Sequence, residues 1–337
     1  MPDRAAAFLA GTDWRNASRV PLAGDASTRR YERLTRTDGR SAILMVAPAS
    51  QGQDLDRFLG LAAHLTSLGL SAPEVYCADP AAGFAVIEDF GDGLFVRIAN
   101  TDPNPQAVIY GAAVEVLLKV QSQPPAPGLT AFNARTMAEQ IDPLFDWYSA
   151  VIRPPSERER DAVRGELETV LSDFLSARQV MALRDYHAEN LFWLPHRDGL
   201  RRVGLIDFQD ALMADPIYDL VSLLQDARRD VPEDLARAMK LKFCEAKGWE
   251  RDGFEAAYAV LGVQRNMRIM GIFARLSHLD GKQGYVDLIP RVWTHVKRNL
   301  RHPSLAGLAA SLEPVLPDPT PENLNALRHP CAAAPTP

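Results

Sequence analysis

Leu183-Arg184-Asp185-Tyr186-His187-Ala188-Glu189-Asn190, followed seventeen residues after its asparagine by Asp207 in Ile206-Asp207-Phe208-Gln209-Asp210, decides how this chain of 337 residues is read. Between the two motifs, short apolar runs at 191–194 and 203–206 flank an Asp198-Gly199 turn. They predict a small hairpin whose open end gathers the polar residues on either side. Asn190 and Asp207 stand at that mouth. An amide oxygen and a carboxylate are the hard donors that Mg²⁺ takes from a protein, with phosphates and water completing its octahedron. Asp185, five positions before Asn190, can accept the proton of an attacking hydroxyl. Any one of these residues could merely cap a turn or end a strand. Together, at this spacing, they suit transfer of a phosphoryl group to an alcohol.

Outward from the hairpin the two sides of the chain differ. Up to about residue 92, strand-like runs at 18–22, 30–35, 41–47, 74–78 and 84–87 alternate with turns such as Gly24-Asp25-Ala26-Ser27-Thr28 and Asp38-Gly39. One helix is predicted over 55–68, where Leu55, Phe58, Leu59, Ala62, Leu65 and Leu68 recur at helical spacing before Gly69. From Pro105 onward the periods are helical, with stretches at about 136–151, 156–177, 232–247, 253–279 and 284–300. The Pro-rich run at 124–128 reads as an internal loop, because helical patterns resume after it. The expectation is an α+β, bilobal fold. An N-terminal nucleotide-binding lobe of antiparallel strands and one helix spans 1–92, and a mostly helical lobe over 93–302 carries the catalytic hairpin. A C-terminal extension over 303–337, rich in Ala and Pro, is expected to fray.

Thirty-seven Lys and Arg against 43 Asp and Glu leave a net charge of −6, which offers no global attraction to nucleic acid or an anionic membrane. Any phosphate site must therefore be built locally. Cys77, Cys244 and Cys331 are odd in number and far apart, so they outline neither a disulfide framework nor a metal knuckle. No apolar run reaches the roughly 18 residues of a membrane span, and the N-terminus is too short and too early-acidic for a secretory signal. These features predict a cytoplasmic protein with neither nucleic acid nor membrane as partner, and a monomer is favoured.

Asp185, four intervening residues, Asn190 and the later Asp207 reproduce the catalytic-loop and metal pattern of kinases. Over nearly its whole length the chain resembles the aminoglycoside phosphotransferase family of the protein-kinase-like superfamily. Within it, Arg184 to Leu191, Gly204-Leu205-Ile206-Asp207-Phe208-Gln209-Asp210-Ala211, Asp215-Pro216-Ile217-Tyr218-Asp219-Leu220 and Gly24-Asp25-Ala26-Ser27-Thr28-Arg29-Arg30-Tyr31 look like one group. That group is the anomeric sugar kinases acting on N-acetylmuramate and N-acetylglucosamine in bacterial cell-wall (peptidoglycan) recycling. The resemblance implies ATP and Mg²⁺ as cofactors and an α-1-phosphate product passed to a uridylyltransferase. It makes Asp185 the catalytic base and Asn190 and Asp207 the metal ligands. Gly24, Asp25, Ala26, Ser27 and Thr28, with Arg30, would lie over the ATP phosphates, and the backbone of Glu88, Asp89 and Phe90 would form the hinge that binds adenine. His187 becomes a structural brace and Asp219 an anchor under the loop; neither Asp215 nor Asp219 is assigned to metal.

One position departs from the family. Met45 stands where most members carry a phosphate-binding lysine, so either a cation such as Arg30 or Arg33 substitutes or the metal carries more of the neutralisation. Sugar contacts are expected from Gln209 and Asp210, and from Gln264, Arg265 and Arg268 on a downstream helix, unless those three are ordinary helix polarity. An arginine there can pair with the lactyl carboxylate that distinguishes N-acetylmuramate. Two rivals stay open: a kinase of the same fold acting on another alcohol, aminoglycoside or choline-like, and a non-catalytic nucleotide-binding module, which Met45 would suit.

Overall fold

A computed structural model describes residues 4–22, 29–47, 52–102 and 104–329. In it β1 (Ser18–Leu22), β2 (Arg30–Thr35) and β3 (Ser41–Val46) run antiparallel. The chain reverses between β2 and β3 because Gly39 takes a left-handed φ of +83° and the Asp38 carboxylate accepts the Arg40 N–H at 3.1 Å. β4 (Val75–Asp79) and β5 (Phe84–Glu88) complete a five-stranded sheet of order β1-β2-β3-β5-β4. Pro21 lies in the edge strand β1, the position a strand proline requires. The inner strands β3 and β5 bury Ala42, Leu44, Phe84 and Val86 with Leu34 of β2. Leu9 of the helix Arg4–Ala10, absent from the sequence reading, joins that core.

The helix predicted over 55–68 runs Gly52–Ser67 and buries Leu55, Phe58, Ala62 and Leu65 of the expected stripe; Leu61 is buried as well, whereas Leu59 is half-buried and Leu68 lies just past the helix end. Four three-residue strands follow much later: β6 (Val180–Ala182), β7 (Leu191–Trp193), β8 (Val203–Leu205) and β9 (Leu212–Ala214). β7 pairs with β8 as the predicted hairpin, and β6 pairs with β9.

Packing gathers the described residues into two units. The first takes those of 1–126 and 188–211, so the β7–β8 hairpin belongs with the strand-rich part of the chain and with the buried helix Gln106–Gln121. The second takes those of 127–187 and 212–337 and is mostly helical. Its long helix Arg251–Asp280 buries Val260, Val263, Met267, Met270 and Ala274 and ends at Gly281, whose φ of +64° is a left-handed cap. Among the described residues no helix is long and apolar enough to cross a membrane.

Two expected helices are interrupted. The stretch 136–151 is a helix at Ala134–Glu139, a wider π turn at Leu144–Ser149 and a last turn at Ala150–Ile152. The ladder breaks at Gln140 and Ile141, ahead of Pro143, which has no N–H to donate to the carbonyl four residues back. Likewise 284–300 splits into a 3-10 segment Gln283–Leu288 and a helix Ile289–Asn299 that opens with Pro290. Past Pro303, where fraying was expected, helices Ala306–Leu312 and Pro321–Arg328 bury Leu308, Leu312 and Leu327; residues 330–337 lie outside the described range.

Glycines within the helices separate close approach from open space. A Cβ at Gly271 would stand 2.2 Å from the backbone of Pro143 and Leu144, whereas one at Gly60 would meet nothing within 4 Å. Gly271→Ala is therefore expected to destabilise the protein by about 1–3 kcal/mol, because a backbone must shift. Gly60→Ala should stabilise it by about 0.5–1 kcal/mol through helix propensity alone. Denaturant midpoints of the two variants read this opposition of sign directly.

Candidate active site

In the second unit β6 leads into Leu183-Arg184-Asp185. Arg184 adopts φ +74°, a left-handed backbone that costs a residue with a Cβ about 1–2 kcal/mol. Asp219 compensates. Its carboxylate accepts the N–H of Leu183 at 2.6 Å and of Arg184 at 2.9 Å, while Ser222 Oγ donates to the Arg184 carbonyl at 3.3 Å. Arg265 in turn donates to Ser222 Oγ at 2.7 Å. Asp185 thus projects from a backbone pinned on its N-terminal side. Burial pushes the Asp219 carboxyl up to about 6, against the pull of the two N–H groups.

Asp215, four residues earlier and ahead of the helix Tyr218–Leu224, is also buried and accepts N–H groups from Ser176 and Ile217 at 2.7 and 2.8 Å. Both oxygens serve the backbone, which leaves this residue a structural task. His187 is buried as well; burial lowers its pKa, opposed chiefly by the Asp226 carboxylate, so its imidazole is neutral at physiological pH.

In the first unit the hairpin supplies the remaining motif residues. Leu191 pairs with Leu205 and the Ile206 N–H donates to the Asn190 carbonyl at 3.1 Å, which sets Asn190 beside Asp207. Asn190 Nδ2 lies 3.5 Å from Asp207 Oδ2, and Gln209 Nε2 donates to Asp207 Oδ1 at 2.6 Å. Asp207 has φ +58°; with Arg184 it is one of two non-glycine residues with positive φ among those described. Such backbone persists only where its surroundings impose it, and both instances fall in the two motifs. Phe208 is held by stacking on Phe58, ring centroids 5.2 Å apart, and Arg57 donates to the Ala211 carbonyl. The helix Gly52–Ser67 therefore fixes the segment that carries Asp207.

These residues fit a divalent cation. Gln209 Oε1 is buried without a hydrogen-bond partner beside the Asp207 carboxylate. Rotation of the Asn190 amide about its last torsion would exchange its N–H₂ for a second oxygen facing Asp207. Asp210 is exposed and Gln209 is buried.

Other expected site residues have particular settings. The motif residues Gly24, Asp25, Ala26, Ser27 and Thr28 lie outside the described residues. Glu88 forms an ion pair with Arg197 and its N–H donates to the Glu74 carbonyl at 2.8 Å. Asp89 is almost wholly buried in an ion pair with Arg33 at 2.8 Å and caps the Gly91 N–H at 2.9 Å. Phe90 packs edge-on against Phe192 of the hairpin, and its ring would collide with any Cβ at Gly204. Met45 is 1% exposed in β3, and with Arg33 bound to Asp89 and Asp92, Arg30 at the exposed end of β2 is, among the described residues, the uncommitted cation of the two proposed substitutes. Gln264 is fully buried and donates to the Met137 carbonyl at 2.8 Å.

The sequence reading did not single out Ser222 or the Arg33–Asp89 pair. Ser222 could have been found from its spacing: three residues after Asp219 on one helix, it shares the face turned to the loop.

Comparison with known proteins identifies the family. Residues 18–254 match the phosphotransferase enzyme family, and the chain belongs to it. It is a kinase-fold phosphotransferase with an alcohol group as acceptor. A Caulobacter vibrioides protein named N-acetylmuramate/N-acetylglucosamine kinase is 37% identical over 93% of this chain and 96% of its own. A Neisseria meningitidis protein of the same name is 30% identical over 88% and 90%. Among solved structures, a choline/ethanolamine kinase family protein from Mesorhizobium loti superposes with a TM-score of 0.61 at 17% identity, over 97% of this chain and 98% of that one. A ternary complex of aminoglycoside phosphotransferase APH(4)-Ia with ADP and hygromycin B gives 0.61 at 15%, over 88% and 98%. At these identities the likeness to solved structures concerns the fold.

Asp219 has a pH signature. Its carboxyl is raised in the folded protein above its ordinary 3.8, so between about pH 4 and 6 the folded state binds the extra proton. Its contribution to stability is greatest below pH 4 and falls as pH rises through 6. The stability of wild type relative to Asp219→Asn should thus drop by about 1–3 kcal/mol between pH 4 and 7. Urea unfolding of both proteins across that range measures it; a parallel pair of curves would contradict the buried carboxyl.

Proposed function

We propose that the protein is an ATP-dependent sugar kinase that phosphorylates the anomeric hydroxyl of N-acetylmuramate and N-acetylglucosamine. The observation that carries the chemistry is Asn190 beside Asp207 at 3.5 Å, with Asp185 five residues upstream on a backbone pinned by Asp219. The names of the relatives that match more than 85% of the chain support the acceptor.

In this reading the sugar's O1 attacks the γ-phosphorus of ATP, the O1–P bond forms as the bond to the β,γ-bridging oxygen breaks, and the hydroxyl proton passes to an Asp185 carboxylate oxygen. Asn190 and Asp207 would hold Mg²⁺, which when bound neutralises charge on the phosphate oxygens. Gln209 fixes the Asp207 carboxylate in orientation through the 2.6 Å hydrogen bond. Adenine would meet the backbone at Asp89 and Phe90, and Arg30, with the 24–28 turn, would meet the phosphates. Gln209 and Asp210 border the acceptor. The α-1-phosphate product is a substrate for a uridylyltransferase, which places the reaction in cytoplasmic peptidoglycan recycling.

Phosphorus NMR with ATP, Mg²⁺ and a small panel of acceptors tests the proposal. An anomeric sugar phosphate is expected from both amino sugars; a phosphate ester of an aminoglycoside or a choline-like alcohol in its place, or no magnesium-dependent product, would overturn it. Asp185→Asn should lower kcat by about 10²–10⁴-fold while nucleotide binding is retained. Wild-type turnover by that variant would remove Asp185 from its role.

A further inference from the structure

Gln264, Arg265 and Arg268 lie within little more than one turn of the long helix, yet their surroundings differ. Gln264 and Arg265 are buried, 0% and 5% exposed; Gln264 Nε2 donates to the Met137 carbonyl and one Arg265 nitrogen to Ser222, while Gln264 Oε1 and a second Arg265 nitrogen have no partner among the described residues. Arg268 is half-buried, and among the described residues it has neither a hydrogen bond nor an ion pair. Burial works against its charge, Arg184 and Arg265 repel it, and Asp185 and Tyr218 attract it without pairing with it. A guanidinium stays protonated in proteins, so this environment is relieved by an incoming anion and not by loss of a proton. Its planar fork matches a carboxylate with two parallel hydrogen bonds. The group sits where the charge of Asp185, the residue that takes the acceptor's proton in the reading above, reaches it.

We infer that Arg268, alone of the three helix residues, reads the acceptor's carboxylate by pairing with the lactyl group of N-acetylmuramate. The inference rests on the sugar-kinase proposal. N-acetylglucosamine has no such carboxylate, so Arg268 sets the preference between the two sugars. Gln264 and Arg265, buried where Arg268 is half-exposed, contribute through the fold.

The test compares kcat/KM for both sugars in wild type, Arg268→Met and Arg268→Lys. In the methionine variant the ratio of N-acetylmuramate to N-acetylglucosamine should fall by about 10- to 100-fold, the range of a hydrogen-bonded charge pair. The loss should appear mainly in KM, and the lysine variant should recover part of it. The uncharged carboxamide of N-acetylmuramate should show the same loss with wild type and no further loss with Arg268→Met. An unmoved ratio in the methionine variant overturns the inference. So does a carboxamide used by wild type as well as the acid, a measurement that decides the question even if the variant fails to fold. Wild type that phosphorylates neither sugar removes the substrate proposal and this inference with it; wild type that accepts both, with an unmoved ratio in the variant, removes the inference alone.

Discussion

Asp219 takes the N–H groups of Leu183 and Arg184 on its two oxygens, 1% exposed and remote from solvent. On this contact the placement of Asp185 depends. A left-handed arginine and a buried carboxylate are each unfavourable alone. Joined, they satisfy one another: the turn presents two N–H groups in one direction, and the carboxylate has partners for its lone pairs. Ser222 and Arg265 extend the arrangement to the Arg184 carbonyl, so both polar groups of that peptide are bonded to side chains. These bonds within the protein hold the loop that carries Asp185, and positioning of this kind is what the proposed base requires.

Asn190 and Asp207 depend on a different device. Three-residue strands have little stability of their own. β7 and β8 are held because Phe192 packs on Phe90, Gly204 admits the Phe90 ring where any side chain would collide, and Trp193 donates to the Gly93 carbonyl at 2.7 Å. The stacking of Phe58 on Phe208 then fixes Asp207 from the other side in sequence. The two residues just after β5 are thus engaged mainly through side chains, Asp89 with Arg33 and Phe90 with the hairpin. The backbone of this stretch is what the adenine proposal uses.

The strands and the hairpin that joins Asn190 to Asp207 were legible because their signals are local. Asp38-Gly39 and Asp198-Gly199 specify reversals, the 55–68 stripe specifies a helix, and the Asp185–Asn190–Asp207 spacing is chemical as well as geometric. What was not legible is long-range. Gln264 and Arg265 look like candidate ligands in sequence, and only tertiary burial shows them bonded to Met137 and Ser222. Arg33 looks like a cation available to phosphate until Asp89, 56 residues away, is found beside it. The interruption at Pro143 was visible in sequence, but the apolar period around it masked the break.

In the ligand-free protein the Leu183 and Arg184 amides are bonded to a buried carboxylate. Amide hydrogen exchange at these two residues measures this most directly. Protection comparable with that of the inner strands β3 and β5 is the result predicted, whereas exchange at the rate of an open loop would contradict it.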